Sequence, residues 1–541
     1  KLFFLLLLPL YSTAQHFTPA ELSAWTEQAK RVTIVEDNWG IPHIYGKRDA
    51  DAVFGLLYVQ CSQNFTRVER NYLEIMGRLS EIEGEKRLYE DLQMRLIYDT
   101  AAAKKDYEKS APWFKELLNA FAGGVNYFLY KHPEVKPMVL TRFEPWFPLL
   151  YTDGSIAPTQ TGGLSVQDLR NFYEEKEPAT SYLKPELTVN GFKTTGSNGF
   201  AIAPSRSATK NALLYINPHV TFYFRTEAHL VSEEGLNTYG AVTWGQFFIY
   251  QGFNGTCGWM HTSSYADVAD VYAETIQQQG NNYRYLTGAG GKTGQPAAWK
   301  DVVHKQVSIR VKNGNNLTAK TFPVYFTHHG PVMGRQGKKW LALKEANRSI
   351  SALTQSWLRT KAGGLADFKK VMDMRSNNSN NTVFADNKGN IAYWHGNFLP
   401  RRNKNFDWTL PVDGSKAETE WGPLHTVEET VHLINPKSGF IQNCNSTPFT
   451  ASGESSPRRE SYPAYMAPEG ENGRALNAIR LLKDANNFTL DKLIAVGYNT
   501  YLTAFDFLLP PLFSGFDGLS AQDTMHRFLA APVHYLRTWD K

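Results

Sequence analysis

Cysteine is nearly absent from this chain: Cys61, Cys257 and Cys444 are the three in 541 residues. They sit at no metal-ligand spacing and allow at most one disulfide, so the chain depends on its apolar core. Long hydrophobic runs are absent too. Apart from a short stretch at the start, nothing approaches the roughly 20 apolar residues of a spanning helix, and no stable membrane span is expected. Charge of one sign is gathered nowhere, and a formal net charge of +5 is small for this length. Charge therefore gives no ground for a nucleic-acid or membrane-surface partner. No internal repeat or low-complexity tract breaks the chain.

What remains is the composition of a soluble globular protein, 42% hydrophobic and 20% charged, long enough for several domains or one large composite core. At the start, Lys1 precedes the apolar residues 2–10, and Ser12-Thr13-Ala14 supplies small residues before Gln15. That is the form of a signal peptide over 1–14, so the chain is expected to be exported, to the periplasm or beyond. Residues 32–35 alternate as a strand. Phe54, Leu57, Tyr58, Cys61, Phe65, Val68, Tyr72 and Ile75 form a helical stripe over 51–76, with Gly77 at its end. Helical pattern recurs near 111–129, 365–374 and 475–483. From 152 to 196 the pattern weakens, and this is the best linker candidate.

After the linker comes Gly196-Ser197-Asn198. Residues 200–203 and 212–216 read as two strands joined near Ser207, a hairpin that returns Asn217-Pro218-His219 to the end where Ser197 lies. A serine hydroxyl is a weak nucleophile without a base. If the Gly196–Ser197 bond is cut, the freed α-amine, with a reference pKa near ~8, can serve as that base. Glycine before the serine also permits a strained turn in which the hydroxyl attacks its own preceding carbonyl. Taken alone, the three residues read better as an ordinary turn.

The wider sequence resembles the penicillin acylase family of N-terminal nucleophile (Ntn) hydrolases, from about Val32 onward. The blocks that carry the resemblance are Asn38-Trp39-Gly40-Ile41-Pro42-His43-Ile44, Gly77-Arg78-Leu79-Ser80-Glu81, Phe143-Glu144-Pro145-Trp146, Gly196-Ser197-Asn198, His328-His329-Gly330-Pro331-Val332 and Asn381-Thr382-Val383-Phe384-Ala385-Asp386, in family order. The resemblance implies an α+β fold, a four-layer αββα sandwich of antiparallel sheets with flanking helices. It implies a first-chain region over 15–165, mostly helical, a spacer over 166–196, and a second-chain region over 197–541 that stops in mid-pattern. Self-cleavage at Gly196–Ser197 would leave a heterodimer of the two chains.

Residue by residue, the resemblance makes Ser197 the nucleophile and His219 the group that orients its α-amine and hydroxyl. The backbone N–H of Ser263 and the side chain of Asn381 would hold the oxyanion, with Asn380 as an alternative one residue away. Arg402 matches an arginine beside the active site. Asp267, the Ala269 carbonyl and Asp270 resemble calcium ligands; a further acidic ligand is expected from the region of Gln160 to Glu177, and no organic cofactor is implied. Where the family's long helix carries an Asp-Arg pair, this chain has Gln63-Asn64.

Histidine at 219 follows the branch with acyl-homoserine-lactone and cephalosporin acylases, so an acyl-homoserine lactone or related acyl amide is the expected substrate, with a penicillin or cephalosporin as the alternative. Val220, Phe222 and Tyr223 are candidate pocket residues. Two other readings stay open: a secreted ligand-binding relative without activity, and a serine hydrolase that uses His219 as the base in an uncut chain. His328-His329 is read as structural, because neighbours on a strand point to opposite faces. The segment 287–293 fails as a phosphate loop because Leu286 stands where its first glycine belongs.

Overall fold

The computed structural model describes residues 17–151, 162–175, 196–221, 223–288, 297–345, 350–376 and 380–540. The expected signal segment, Phe222, residues 289–296 and residues 176–195 of the expected spacer lie outside them.

The layering follows from which side chains alternate into which cluster. The strands that carry the site are β1 (Gly196–Ile202), β2 (Leu213–His219), β3 (Cys257–Ser263), β4 (Ala269–Glu274), β5 (Asn380–Asp386), β6 (Ile391–His395) and β7 (Phe440–Asn443). β7, β1 and β2 form a three-stranded antiparallel sheet, and β3, β5 and β6 lie side by side in a nine-stranded one. On the large sheet, Trp259, Phe384, Ala392 and Trp394 join the core beneath helices α1 (Asp49–Ile75) and α2 (Pro112–Lys131). Their neighbours Met260, Val383 and Tyr393 face the other way and pack with Ala201 and Ile441 of the small sheet. Phe200, Ile202 and Phe440 then turn outward onto helices α3 (Gly473–Leu482) and α4 (Leu490–Gly497). The order is helix, sheet, sheet, helix: the four-layer αββα fold. Period-two alternation on both sheets supplies it.

Helix α1 covers the predicted stripe but breaks at Asn64, whose backbone is non-helical (φ −160°, ψ 74°). Its Oδ1 accepts from the backbone N–H of Arg67 at 3.0 Å. The asparagine thus caps the second half of the helix, as a side-chain acceptor at a helix start does. This is a local use for the residue that departs from the family's pair.

Residues 166–173, placed in the spacer for want of pattern, form a helix, Val166–Tyr173, with a capping box between Ser165 and Asp168. It buries Leu169 in a second core against the six-stranded sheet that contains β4, and Tyr173 Oη donates to the Val332 carbonyl at 3.0 Å. Eight residues are too few to print a stripe. The three cysteines are buried and free. No helix among the described residues is long and apolar enough to cross a membrane.

Candidate active site

The hairpin register sets the site. Gly196 pairs with His219 and Ser197 with Pro218, so Ser197 faces the large sheet with Ala201 while His219 faces outward with Asn198 and Asn217. Ser197 is fully buried. Its Oγ donates to the carbonyl oxygen of Gly196, the residue before it. Its backbone N–H donates to Asn445 Oδ1 at 2.6 Å. Arg474, on α3, donates through Nη1 to the Ser197 carbonyl at 2.8 Å and to Asn198 Oδ1 at 2.7 Å, and through Nη2 to Asn445 Oδ1 at 3.0 Å.

The strained glycine turn is not what the structure contains. Gly196 opens an extended strand and is not among the positive-φ residues. What glycine provides is room: a Cβ there would lie 3.0 Å from Arg474 Nη2 and 3.1 Å from Asn445 Oδ1.

Asn381 shares a face with Val383, towards Ser197, whereas Asn380 shares the opposite parity. This separates the two candidates. The Asn381 amide, fully buried, donates to Thr262 Oγ1 at 3.0 Å, to the Ser263 carbonyl at 3.1 Å and to Asn443 Oδ1 at 3.3 Å. Asn445 Nδ2 donates to that same Ser263 carbonyl at 3.2 Å. Ser197, Ser263 and Asn381 are therefore joined through Asn445.

His219 is not brought to Ser197. Its Nε2 lies 2.8 Å from Asn217 Oδ1 and 3.5 Å from Asn198 Nδ2. Burial and the Arg474 charge lower its pKa.

Arg402 is buried, with Nε donating to Asp270 Oδ2 at 2.7 Å and Nη2 standing 3.7 Å from Asp267 Oδ1. The expected active-site arginine and the expected metal ligands thus form one cluster. Among the described residues, Asp267 Oδ2 and Asp270 Oδ1 are buried without a hydrogen-bond partner, and burial raises the pKa of both carboxyls, that of Asp267 to about 7. Two hard, unanswered oxygens fit a calcium ion, with Asp267, Asp270 and the Ala269 carbonyl as the residues that would hold it.

Sequence reasoning missed the second half of the polar network. Tyr393 Oη donates to Asn381 Oδ1 at 2.9 Å and lies 3.2 Å from His395 Nδ1. His395 Nε2 and Glu469 Oε1 are 3.1 Å apart, yet neither has the alignment of a hydrogen bond. Burial pushes the Glu469 carboxyl up to about 8 and His395 down to about 3. Asn443, Asn445 and Arg474 carry no local signal either; the strand pairing of β7 with β1 is what delivers the two asparagines.

Ser197 thus stands near a strand start between two sheets, its nitrogen held by Asn445 and its carbonyl by Arg474. Residues 31–541 match the penicillin amidase family, and the chain belongs to it. Penicillin acylase 2 proenzyme of Pseudomonas sp. strain SE83 is 24% identical over 476 residues, 77% of this chain and 58% of that protein. Penicillin G acylase of Escherichia coli is 22% identical across 96% of this chain and 70% of its own length. Acyl-homoserine lactone acylase QuiP of Pseudomonas fluorescens Pf-5 is 25% identical across 56% of this chain and 41% of its own. The chain thus spans little more than half of the first of these relatives. A solved thermostable penicillin G acylase from Alcaligenes faecalis aligns with TM-score 0.49 at 18% identity, covering 62% of this chain and 59% of that one.

Proposed function

We propose that the chain is the precursor of an exported acylase that cuts itself between Gly196 and Ser197 and then hydrolyses the linear amide bond of an acylated small molecule. The observation that carries this reading is the pair of contacts at Ser197: Oγ on the carbonyl of Gly196, and the backbone nitrogen on Asn445 Oδ1. The nucleophile rests against the bond it would break, and the nitrogen that would become the base already has an acceptor.

In maturation, Oγ adds to the Gly196 carbonyl carbon as its proton passes to the Ser197 nitrogen. The C–N bond then breaks, leaving an ester between Gly196 and Ser197 Oγ. Water hydrolyses the ester to the Gly196 carboxylate and a free Ser197. In turnover, the α-amine takes the hydroxyl proton as Oγ attacks the substrate carbonyl. The Ser263 N–H and Asn381 hold the oxyanion, the amine product leaves with the proton, and water then releases the acid. The Arg474 cation beside Ser197 disfavours a charged amine, keeping it a base near neutral pH. His219 pairs with Gly196 in the uncut strand, so cleavage unpairs it; we assign it to orienting the new amine. Its outward position in the uncut chain counts against it as a base there. Calcium would neutralise Asp267 and Asp270 without entering a step.

For the substrate, His219 favours an acyl-homoserine lactone or related acyl amide over a penicillin, and the relatives carry both names. Expression followed by a denaturing gel tests processing: two fragments split at Ser197 in the wild type and one uncut band for Ser197→Ala. An uncut chain that is nonetheless active would sink the mechanism. Rates on acyl-homoserine lactones of varied length against penicillin G decide the substrate, and a preference for penicillin G would overturn the lean.

A further inference from the structure

The hairpin turn between the strands Asn316–Thr327 and Gly330–Gln336 holds His328 and His329. In this turn the two rings do not point apart as strand neighbours would; their centroids are 3.8 Å apart. Both Nε2 atoms converge on one oxygen, Glu420 Oε1, at 2.7 Å for His328 and 3.0 Å for His329. The three donor atoms lie within 4.8 Å of one another.

The surroundings are built to hold that aim. His329 stacks on Tyr272 with centroids 3.6 Å apart, and its Nδ1 donates to the fully buried Glu274 carboxylate, Oε1, at 2.8 Å. With Nδ1–H held by a carboxylate, the usual arrangement for a metal-bound histidine, a metal that displaces the Nε2 proton now shared with Glu420 leaves Nε2 as the ligand. Thr327 Oγ1 donates to that oxygen at 2.7 Å. Glu274 Oε2 is buried with no hydrogen-bond partner among the described residues. Lys344 Nζ holds the other oxygen of Glu420 at 3.2 Å. His328 is partly exposed, which leaves a way in from solvent.

We propose that His328 Nε2, His329 Nε2 and Glu420 Oε1 form a binding site for a divalent ion of the zinc class, with a fourth position open to water. Two imidazoles and a carboxylate are a recognised zinc ligand set. Ligands roughly 2.0–2.1 Å from a tetrahedral ion stand about 3.3 Å apart, so the two histidine–Glu420 separations of 2.7 and 3.0 Å need to widen by only tenths of an ångström. The ion would tie the hairpin turn to the segment after Ala417–Thr419. The site is separate from the acylase reading.

The test uses the full chain stripped with a chelator and titrated with Co2+, read by visible absorption, and with Zn2+, read by calorimetry and elemental analysis. One equivalent with a tetrahedral or five-coordinate cobalt spectrum is expected. His328→Ala, on the exposed turn, and Glu420→Gln should each weaken binding at least 10-fold, and Glu274→Gln about 10–100-fold. Far-UV circular dichroism verifies that each variant is folded. An octahedral cobalt spectrum, substoichiometric binding, or a folded His328→Ala that binds as the wild type does would overturn the proposal. Running the titration on Ser197→Ala keeps its outcome apart from that of self-cleavage.

Discussion

The backbone nitrogen of Ser197 donates to Asn445 Oδ1 across 2.6 Å, and that oxygen also receives Arg474 at 3.0 Å. One amide oxygen therefore registers the amide nitrogen that self-cleavage would free. Asn445→Ala should slow processing by about 10²-fold, the cost of roughly 1 Å of misplacement at a reacting group. A time course of precursor on denaturing gels measures it; unchanged processing would remove Asn445 from the site.

Gly196→Ala tests the space rather than the backbone. Its methyl would press on Arg474 Nη2 and Asn445 Oδ1, so processing should slow while the melting temperature changes little, and Gly196→Val should be worse. Equal rates for all three would show that the neighbours yield freely.

The buried amide of Asn381 is oriented by Tyr393 through its Oδ1. In the processed enzyme, Asn381→Ala should lower kcat by roughly 10²–10³ with little change in KM. Tyr393→Phe should give a smaller loss in the same parameter. A loss confined to KM for both would mean that they bind substrate and do not hold an oxyanion.

Glu469 makes stability depend on pH. Its folded pKa, about 8, lies above the ordinary 4.5 because of burial, so the fold favours its neutral form. That contribution is present below pH 4.5 and is lost as pH rises through 8. Melting temperatures of wild type and Glu469→Gln, compared from pH 5 to 9, should show the variant gaining on the wild type as pH rises. A constant gap would mean that the carboxyl titrates normally, with solvent or a cation at hand.

The cluster of Asp267, Asp270 and Arg402 predicts a response to calcium. Saturation at 100 times the dissociation constant stabilises by about 2.7 kcal/mol, so a calcium chelator should lower the melting temperature and added calcium restore it. Asp267→Asn should abolish that difference. Arg402→Ala leaves two carboxylates without their cation, at a cost of roughly 3–5 kcal/mol, and should deepen the calcium dependence. A melting temperature indifferent to calcium would leave the two carboxylates to Arg402, with the Lys344 charge beside Asp270.

Long-period patterns were legible in the sequence. The stripe from Phe54 to Ile75 announced the long helix, and the β1–β2 hairpin followed from two apolar runs around a polar turn. Asn381 was recognisable as a motif, while its distinction from Asn380 needed strand parity. What was illegible arrives from afar or rests on few residues. Asn445 and Arg474 reach Ser197 from 248 and 277 positions away, and neither lies in a pattern that points there. The helix Val166–Tyr173 has too few turns to show a period. For His328-His329 the strand rule was applied to residues that form a turn, and two rings expected on opposite faces meet at Glu420.

The distance to Arg474 also sets a clock. The guanidinium that grips the Ser197 carbonyl belongs to a residue made 277 positions after the serine, a delay of roughly 15–55 s at translation rates of 5–20 residues per second. If this contact is needed for self-cleavage, a nascent chain cannot cut itself until Arg474 has been made. A ribosome stalled before Arg474 would then release a chain that stays in one piece.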